Sequence, residues 1–286
     1  MIIFNIIKKN LQKYKTITLG IFFIITTSNT KTVIKIIPAA NCVYKNIIFD
    51  LGNVCITTSK TSTFFTVFPQ ICLNPSLFYY LFNNLNIKEQ YFELLDEIPS
   101  SSEITIYHEG KPLPFIMNDW LNGTYNSNTI KPIIFNAIDE SDNPTSIKNL
   151  FKAITEYMFT PQSFAQSQVF LEPMINLAMQ FKEQGYKIYI LSNWDEESFE
   201  IIQQKHKVFA LFDGIIISGK EKLLKPQSEI YGRLLNKYKL KSKECLFIDD
   251  ERQNTEEATN LGITSIVHKD FATTCKELMK LGIIKI

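Results

Sequence analysis

The chain has 286 residues, 45% apolar and 21% charged, with 30 Lys and Arg against 29 Asp and Glu for a net charge of +1. That balance excludes a disordered chain, which carries far less apolar content. It also lacks the basic surplus of a nucleic-acid-binding domain, so no nucleic-acid partner is expected. Cys42, Cys55, Cys72, Cys245 and Cys275 are odd in number and form no CxxC pair. That pattern argues against a disulfide framework or a zinc site.

The amino terminus stands apart. Lys8, Lys9, Lys13 and Lys15 precede an apolar run from Ile17 to Ile25, and Thr26, Thr27, Ser28 and Asn29 follow. A basic start, an apolar stretch of about 7–15 residues and a small polar end make a secretory signal. The run is short of the ~20 residues that a spanning helix needs. Residues 1–43 therefore read as a signal-like or membrane-associated extension, with export or membrane attachment favoured over a cytoplasmic location. An uncleaved amphipathic extension, or simply an upstream start codon, is the alternative.

From Tyr44 onward the pattern alternates between strand and helix. Asn46-Ile47-Ile48-Phe49 is a short apolar run ending at Asp50, the mark of a buried parallel strand. Between residues 64 and 168 that rhythm is lost. Helical spacing replaces it, as in Leu77-Phe78-Leu81-Phe82 and Leu150-Phe151-Ile154-Tyr157. The stretch is too long for a loop and reads as a helical cap, placed over the edge of the sheet where the first strand lies. A helix over Met174–Gln184 stops at Gly185, and Lys187–Leu191 is a second strand ending at Ser192. There follow a helix from Glu200 to His206, a strand over Gly214–Ile217, a helix over Ser228–Tyr238 and a strand over Glu244–Ile248 that runs into Asp249-Asp250. A helix over Thr255–Leu261 and a strand over Thr264–Val267 complete the series. Strands separated by single helices predict an α/β fold, a Rossmann-like parallel sheet wrapped by helices. Residues 44–63 and 169–286 form that core.

Ligands of open α/β sheets bind beyond the carboxyl ends of the strands. Here those ends carry Asp50, Ser192 and Asp249-Asp250, with Lys225 between the last two. A carboxylate at Asp50 is suited to attack phosphorus and form an acyl-phosphate. Its approach to an anionic phosphate is repulsive, so cations are needed. Asp250 with Asp249 suits Mg²⁺, which favours one or two carboxylates plus phosphate and water. Lys225 supplies a fixed positive charge, and Ser192 a hydroxyl donor.

Phe49-Asp50-Leu51-Gly52-Asn53-Val54, Leu191-Ser192-Asn193, Lys225-Pro226 and Phe247-Ile248-Asp249-Asp250 with Asn254 resemble the four motifs of the haloacid dehalogenase-like (HAD) hydrolase superfamily. The match is closest to its Asp-Leu-Gly-Asn-Val subgroup, with a cap inserted between the first two motifs. The resemblance implies a Mg²⁺-dependent phosphatase of a small phosphorylated metabolite, acting through an aspartyl-phosphate. Asp50 would be the nucleophile, assisted by Lys225. Ser192, Asn193 and Lys225 would bind the phosphoryl group. Asp50, Asp250, Asp249 and the backbone carbonyl of Gly52 would hold the metal.

One position departs from the pattern. Most phosphatases of the superfamily carry a second Asp two residues after the nucleophile, as general acid and base, and here that residue is Gly52. Two alternatives follow. A metal-independent haloacid dehalogenase also uses an aspartate nucleophile, although Asp249-Asp250 argues against it. A catalytically impaired phosphate-binding or scaffold protein is the other. His108, His206 and His268 are too scattered to suggest a metal cluster. Trp194 and the Asp119–Gly123 helix end are secondary candidates for substrate contact, and the oligomeric state is left open.

Overall fold

The run Asn46–Phe49 is apolar in three of its four residues and buried along its whole length because it occupies the middle of a sheet. A computed structural model of the chain describes residues 34–59 and 87–285. The signal-like segment and the Leu77-Phe78-Leu81-Phe82 spacing thus lie outside the described residues. Residues Ile36–Ile284 form one compact unit. Within it Ile36 and Ala39, read above as part of the extension, are buried, and the Tyr186 hydroxyl donates to the Ile37 carbonyl at 2.8 Å. Among the described residues no helix is long and apolar enough to cross a membrane.

Strands β1 (Asn46–Phe49), β2 (Lys187–Ser192), β3 (Gly214–Ile217), β4 (Cys245–Asp249) and β5 (Thr264–Val267) form a parallel sheet in the order β5-β4-β1-β2-β3. The α/β parallel-sheet fold read from the sequence is therefore present. β1 pairs with β2 on one side and β4 on the other, with Phe49 opposite Ile190 and Ile248. One residue further on, Asp50, Leu191 and Asp249 come level at the carboxyl end. The sheet order reverses direction between β1 and β4, and ligands of open α/β sheets bind in such a crevice.

The chain between β1 and β2 leaves and returns through an antiparallel pair, Ile56–Thr58 with Gln168–Phe170. It contributes α1 (Ile87–Asp96), α2 (Phe115–Leu121), α3 (Ser127–Glu140), α4 (Thr145–Met158) and α5 (Pro161–Ser167). These helices share a core of their own that includes Tyr91, Leu95, Ile116, Ile130, Ile134, Ile138 and Phe151. The four-residue spacing of Ile130, Ile134 and Ile138 puts one apolar stripe along α3. Asn126 opens that helix with a capping box closed by Thr129. An insertion after β1 was expected over a sheet edge. Because β1 is central, the insertion instead lies over the carboxyl ends of the strands.

The remaining helices, α6 (Glu172–Glu183), α7 (Glu196–Lys205), α8 (Ser228–Tyr238), α9 (Arg252–Asn260) and α10 (Phe271–Lys280), accompany the sheet. Successive residues of β1 point to opposite faces. Ile48 packs with Tyr231 and Leu234 of α8 and Ala258 of α9, and Phe49 meets Phe181 of α6 at 6.4 Å between ring centroids. At the edge strand β3, the Tyr238 hydroxyl accepts from the Ile215 amide at 3.0 Å. Its ring lies where a Cβ on Gly214 would stand, so only glycine admits it. Replacing Gly214 with Val forces the ring away and uncovers that edge. A destabilisation of about 1–3 kcal/mol is expected, seen as a lower urea midpoint with an unchanged slope.

Candidate active site

Beyond β1 the Asp50 amide donates to the Ile248 carbonyl at 2.9 Å, extending the β1–β4 ladder by one residue. The chain then turns tightly, and the Leu51 carbonyl accepts from the amides of Val54, Cys55 and Ile56. Asn53 takes φ of +53° in this turn, a left-handed conformation that Asn tolerates better than most residues. Its side-chain amide donates to Asp250 Oδ2 at 3.0 Å. The loops after β1 and β4 are joined by this contact.

Lys225 is 1% exposed. Its Nζ lies 2.8 Å from Asp50 Oδ1, 2.6 Å from Asp249 Oδ2 and 3.0 Å from the Leu191 carbonyl. An ammonium has three protons, and all are directed at these acceptors. Expected to bind the phosphoryl group, Lys225 here makes its hydrogen bonds to the two aspartates, and its charge reaches a ligand through space. Burial alone would lower its pKa, but the carboxylates of Asp249 and Asp50 outweigh that and hold it above the ordinary lysine range.

Asn193 was also expected on phosphate. Its side chain instead accepts from the Lys225 amide at 2.8 Å and donates to the Lys225 carbonyl at 2.9 Å. It therefore positions the lysine. Asp249 is fully buried, and besides Lys225 it accepts from the Glu251 amide at 2.8 Å and the Asn254 side chain at 3.0 Å. Ser192, 1% exposed, lies on the same cavity wall as Asp50.

Carboxylate oxygens of Asp50, Asp249 and Asp250 all lie within 4.8 Å of one another. Against these three negative groups the pocket sets one buried ammonium. Burial raises the Asp250 carboxyl, and Asp50 and Asp249 raise it further, to about 8. Burial likewise raises Asp249, although Lys225 opposes it. Asn254 Oδ1, beside this group, is buried with no partner among the described residues. Surplus negative charge and an orphaned oxygen acceptor fit a hard divalent cation, which takes oxygen ligands.

A cavity of about 440 Å³ opens above these groups. Asp50, Gly52, Ser192, Asn193, Lys225 and Asp250 line it, while Asp249 lies beneath its wall. A Cβ at Gly52 would sit 3.8 Å from Asp50 Oδ2, an ordinary contact, so a side chain there has room to start. The three histidines do not converge. His108 is on the cavity wall, His206 packs edge-on against Phe170 at 4.8 Å, and His268 Nδ1 bonds Thr274 Oγ1 at 2.7 Å. Asp119 accepts from Ser100 and Ser101, whereas its neighbour Trp120 and the core residue Trp194 line the cavity. Asn254 had no role in the sequence reading. Its sole signal was its place in a motif, in the first turn of α9.

The model of the haloacid dehalogenase-like hydrolase family matches residues 111–268, more than half of the chain. The chain belongs to that family. The matched segment starts within the insertion and contains Ser192, Lys225 and Asp250, so Asp50 joins the HAD site through the contacts above. Among curated proteins, the sesquiterpene phosphatase astK of Aspergillus oryzae is 31% identical over 122 residues, 42% of this chain and 62% of its own length. Bifunctional epoxide hydrolase 2 of Rattus norvegicus is 28% identical over 134 residues, 42% of this chain and 24% of its own length. The HAD chain thus spans less than two thirds of either relative. A HAD family enzyme of Bacteroides thetaiotaomicron shares the fold at 19% identity and a TM-score of 0.52, covering 79% of this chain and 94% of its own. That enzyme has also been solved in complex with magnesium and inorganic phosphate, at a TM-score of 0.50 with the same identity and coverage.

The buried lysine gives a stability test. Lys225→Met leaves the Asp50 and Asp249 carboxylates without a counter-charge, a loss of about 3–5 kcal/mol at neutral pH. Loss of Lys225 removes the main opposition to burial at Asp249, and its carboxyl, already raised, moves further above the unfolded value of about 3.9. Stability is therefore regained as the pH falls toward that value and lost as it climbs through the folded one. Urea unfolding at about pH 5 and pH 7.5 should show the smaller defect at pH 5; equal defects contradict the charge assignment.

Proposed function

We propose that this HAD hydrolase is a Mg²⁺-dependent phosphomonoesterase that works through an aspartyl-phosphate on Asp50. The observation that carries this reading is the pairing of Lys225 Nζ with Asp50 Oδ1 at 2.8 Å beside two further carboxylates. The Lys225 ammonium holds Oδ1 of Asp50 and leaves Oδ2 to attack. The phosphatase name of the Aspergillus relative supports the reaction class, and the magnesium and phosphate complex of the Bacteroides enzyme supports the cofactor.

In the first step Asp50 Oδ2 forms a bond to phosphorus as the ester oxygen leaves with its electron pair. In the second, water attacks phosphorus, the Asp50 oxygen leaves with the bonding pair to restore the carboxylate, and inorganic phosphate departs; one proton of that water passes through solvent to the alkoxide released in the first step. Lys225 keeps Asp50 ionised and oriented, and Asn193 keeps Lys225 in place. The Ser192 hydroxyl donates to a phosphoryl oxygen, an interaction of the kind worth ~10²–10³-fold in rate. Asp50, Asp250 and the Gly52 carbonyl are the groups that would hold Mg²⁺, with Asp249 anchoring Lys225 behind them. When bound, Mg²⁺ supplies positive charge to the phosphoryl oxygens as negative charge builds there.

Glycine at 52 leaves the departing oxygen without an adjacent carboxyl to protonate it, an omission of a term worth ~10²–10⁴-fold. In the wild-type site the departing oxygen takes its proton from water, which slows esters of poorly acidic alcohols relative to p-nitrophenyl phosphate without excluding them. Room beside Asp50 at position 52 makes Gly52→Asp informative. This variant should raise turnover of alkyl phosphates at least tenfold relative to p-nitrophenyl phosphate, whose leaving group needs no proton.

Phosphate release from p-nitrophenyl phosphate should require Mg²⁺ and vanish in Asp50→Asn. Full activity in that variant refutes the nucleophile, and chelator-insensitive halide release would instead indicate a dehalogenase. Binding of phosphate with no turnover across a broad panel would mark a phosphate-binding protein. Protons on the raised Asp250 and Asp249 carboxyls compete with the cation at low pH. The rise in melting temperature on adding Mg²⁺ should therefore be larger at about pH 8 than at about pH 5.5.

A further inference from the structure

The phosphoryl site fills one end of its cavity, and the rest of the wall is of a different chemistry. Met117, Trp120 and Leu121 of α2, Ile154 and Met158 of α4 and Phe164 of α5 line it. Of these, Leu121, Ile154, Met158 and Phe164 are only partly buried although they pack on the insertion's core. They therefore present hydrocarbon to the chamber. The apolar wall begins at the phosphate motif itself. Trp194 follows Ser192-Asn193 directly, stacks with Phe164 at 5.6 Å between ring centroids, and Phe164 meets Trp120 at 6.0 Å. An aromatic row thus runs from the core loop into the insertion.

Several polar groups on the same wall are engaged elsewhere, although Thr57, Tyr107, His108 and Glu251 also line it. Asp195 caps α7 by accepting from the Ser198 amide, and Thr58 and Gln168 bond each other across the stem. Lys88 is paired with Glu109 at 3.6 Å. A sugar phosphate presents several hydroxyls that need partners, and among the described residues the Trp194–Phe164–Trp120 stretch of the wall offers it few. An apolar chain, by contrast, gains from every methylene removed from water.

We infer that the substrate is the phosphomonoester of a long apolar alcohol, with its phosphoryl group at Asp50 and its hydrocarbon tail along the Trp194–Phe164–Trp120 row. This rests on the phosphomonoesterase reading and names the substrate class for it. The cavity of about 440 Å³ holds about 15 groups at the ~30 Å³ that a water occupies in the liquid. After about five for the phosphate, a tail of about ten carbons fits.

Two arms test the inference on the full chain. The protein has two tryptophans, Trp120 and Trp194, and both line the chamber, so intrinsic fluorescence reports its filling without any turnover. Decyl phosphate, below its micelle concentration, should shift the emission at far lower concentration than butyl phosphate or glycerol 3-phosphate. In the kinetic arm, kcat/KM with Mg²⁺ should climb about two- to fourfold per methylene from butyl to decyl phosphate and level off beyond. Met158→Asn should flatten that slope. Geranyl phosphate against decyl phosphate, equal in carbon number, tells a branched isoprenoid from a straight chain. A flat or falling series with sound turnover of p-nitrophenyl phosphate overturns the apolar tail and leaves the phosphatase intact. Absence of all phosphate release refutes the phosphatase reading, and the fluorescence arm then decides the chamber alone. Equal responses to decyl phosphate and glycerol 3-phosphate there would sink it.

Discussion

Lys225 is buried between Asp50 and Asp249, and the arrangement of the catalytic end follows from that contact. An ammonium removed from water is tolerated only when opposite charge and hydrogen-bond acceptors surround it. Here two carboxylates and a backbone carbonyl do so, drawn from the ends of three neighbouring strands. Moving any one of these strands by a residue would strand a charge in the interior. Sheet register and lysine burial therefore hold each other in place, and Asn193 adds to this by gripping the Lys225 backbone from both sides.

The lysine neutralises one carboxylate fully and leaves the cluster negative. The cost of that surplus falls on Asp250, whose ionisation burial and two like-charged neighbours both oppose. A cluster of this kind is poorly stable on its own and well suited to receive a divalent ion. The same imbalance explains why an anionic phosphate group can approach three aspartates at all: it arrives where cationic charge has been brought.

The insertion turns this crevice into a chamber with two chemistries. It covers the carboxyl ends because the strand it follows is central, and it carries its own apolar core. Its inner side meets the phosphate motif at Trp194 and Phe164, so one contact separates the charged end from the hydrocarbon wall. Water held against such a wall is readily displaced by a chain and poorly replaced by a hydroxylated one.

Much of this was legible in the chain itself. The strands at Asn46–Phe49, Gly214–Ile217 and Thr264–Val267 and the helix at Ser228–Tyr238 coincide with their apolar patterns, because burial on both faces writes itself as an unbroken run and a helix as a spaced one. Asp50, Ser192, Lys225 and Asp250 stood out because strand ends are where such a sheet places chemistry. Helix starts were misread by a few residues. α7 begins at Glu196, where Asp195 caps it, and α10 went unread. Those starts are set by side-chain caps and packing, which periodicity does not record. What only the folded chain decided were the partners: the amide of Asn193 turned to Lys225, the lysine's protons taken by residues up to 175 positions away, the insertion over the strand ends, and the apolar wall of the chamber. Sequence pattern carries the period of each element, because period depends on neighbours along the backbone. Which side chains meet across elements depends on strand order and register, and those exist only once the sheet has formed.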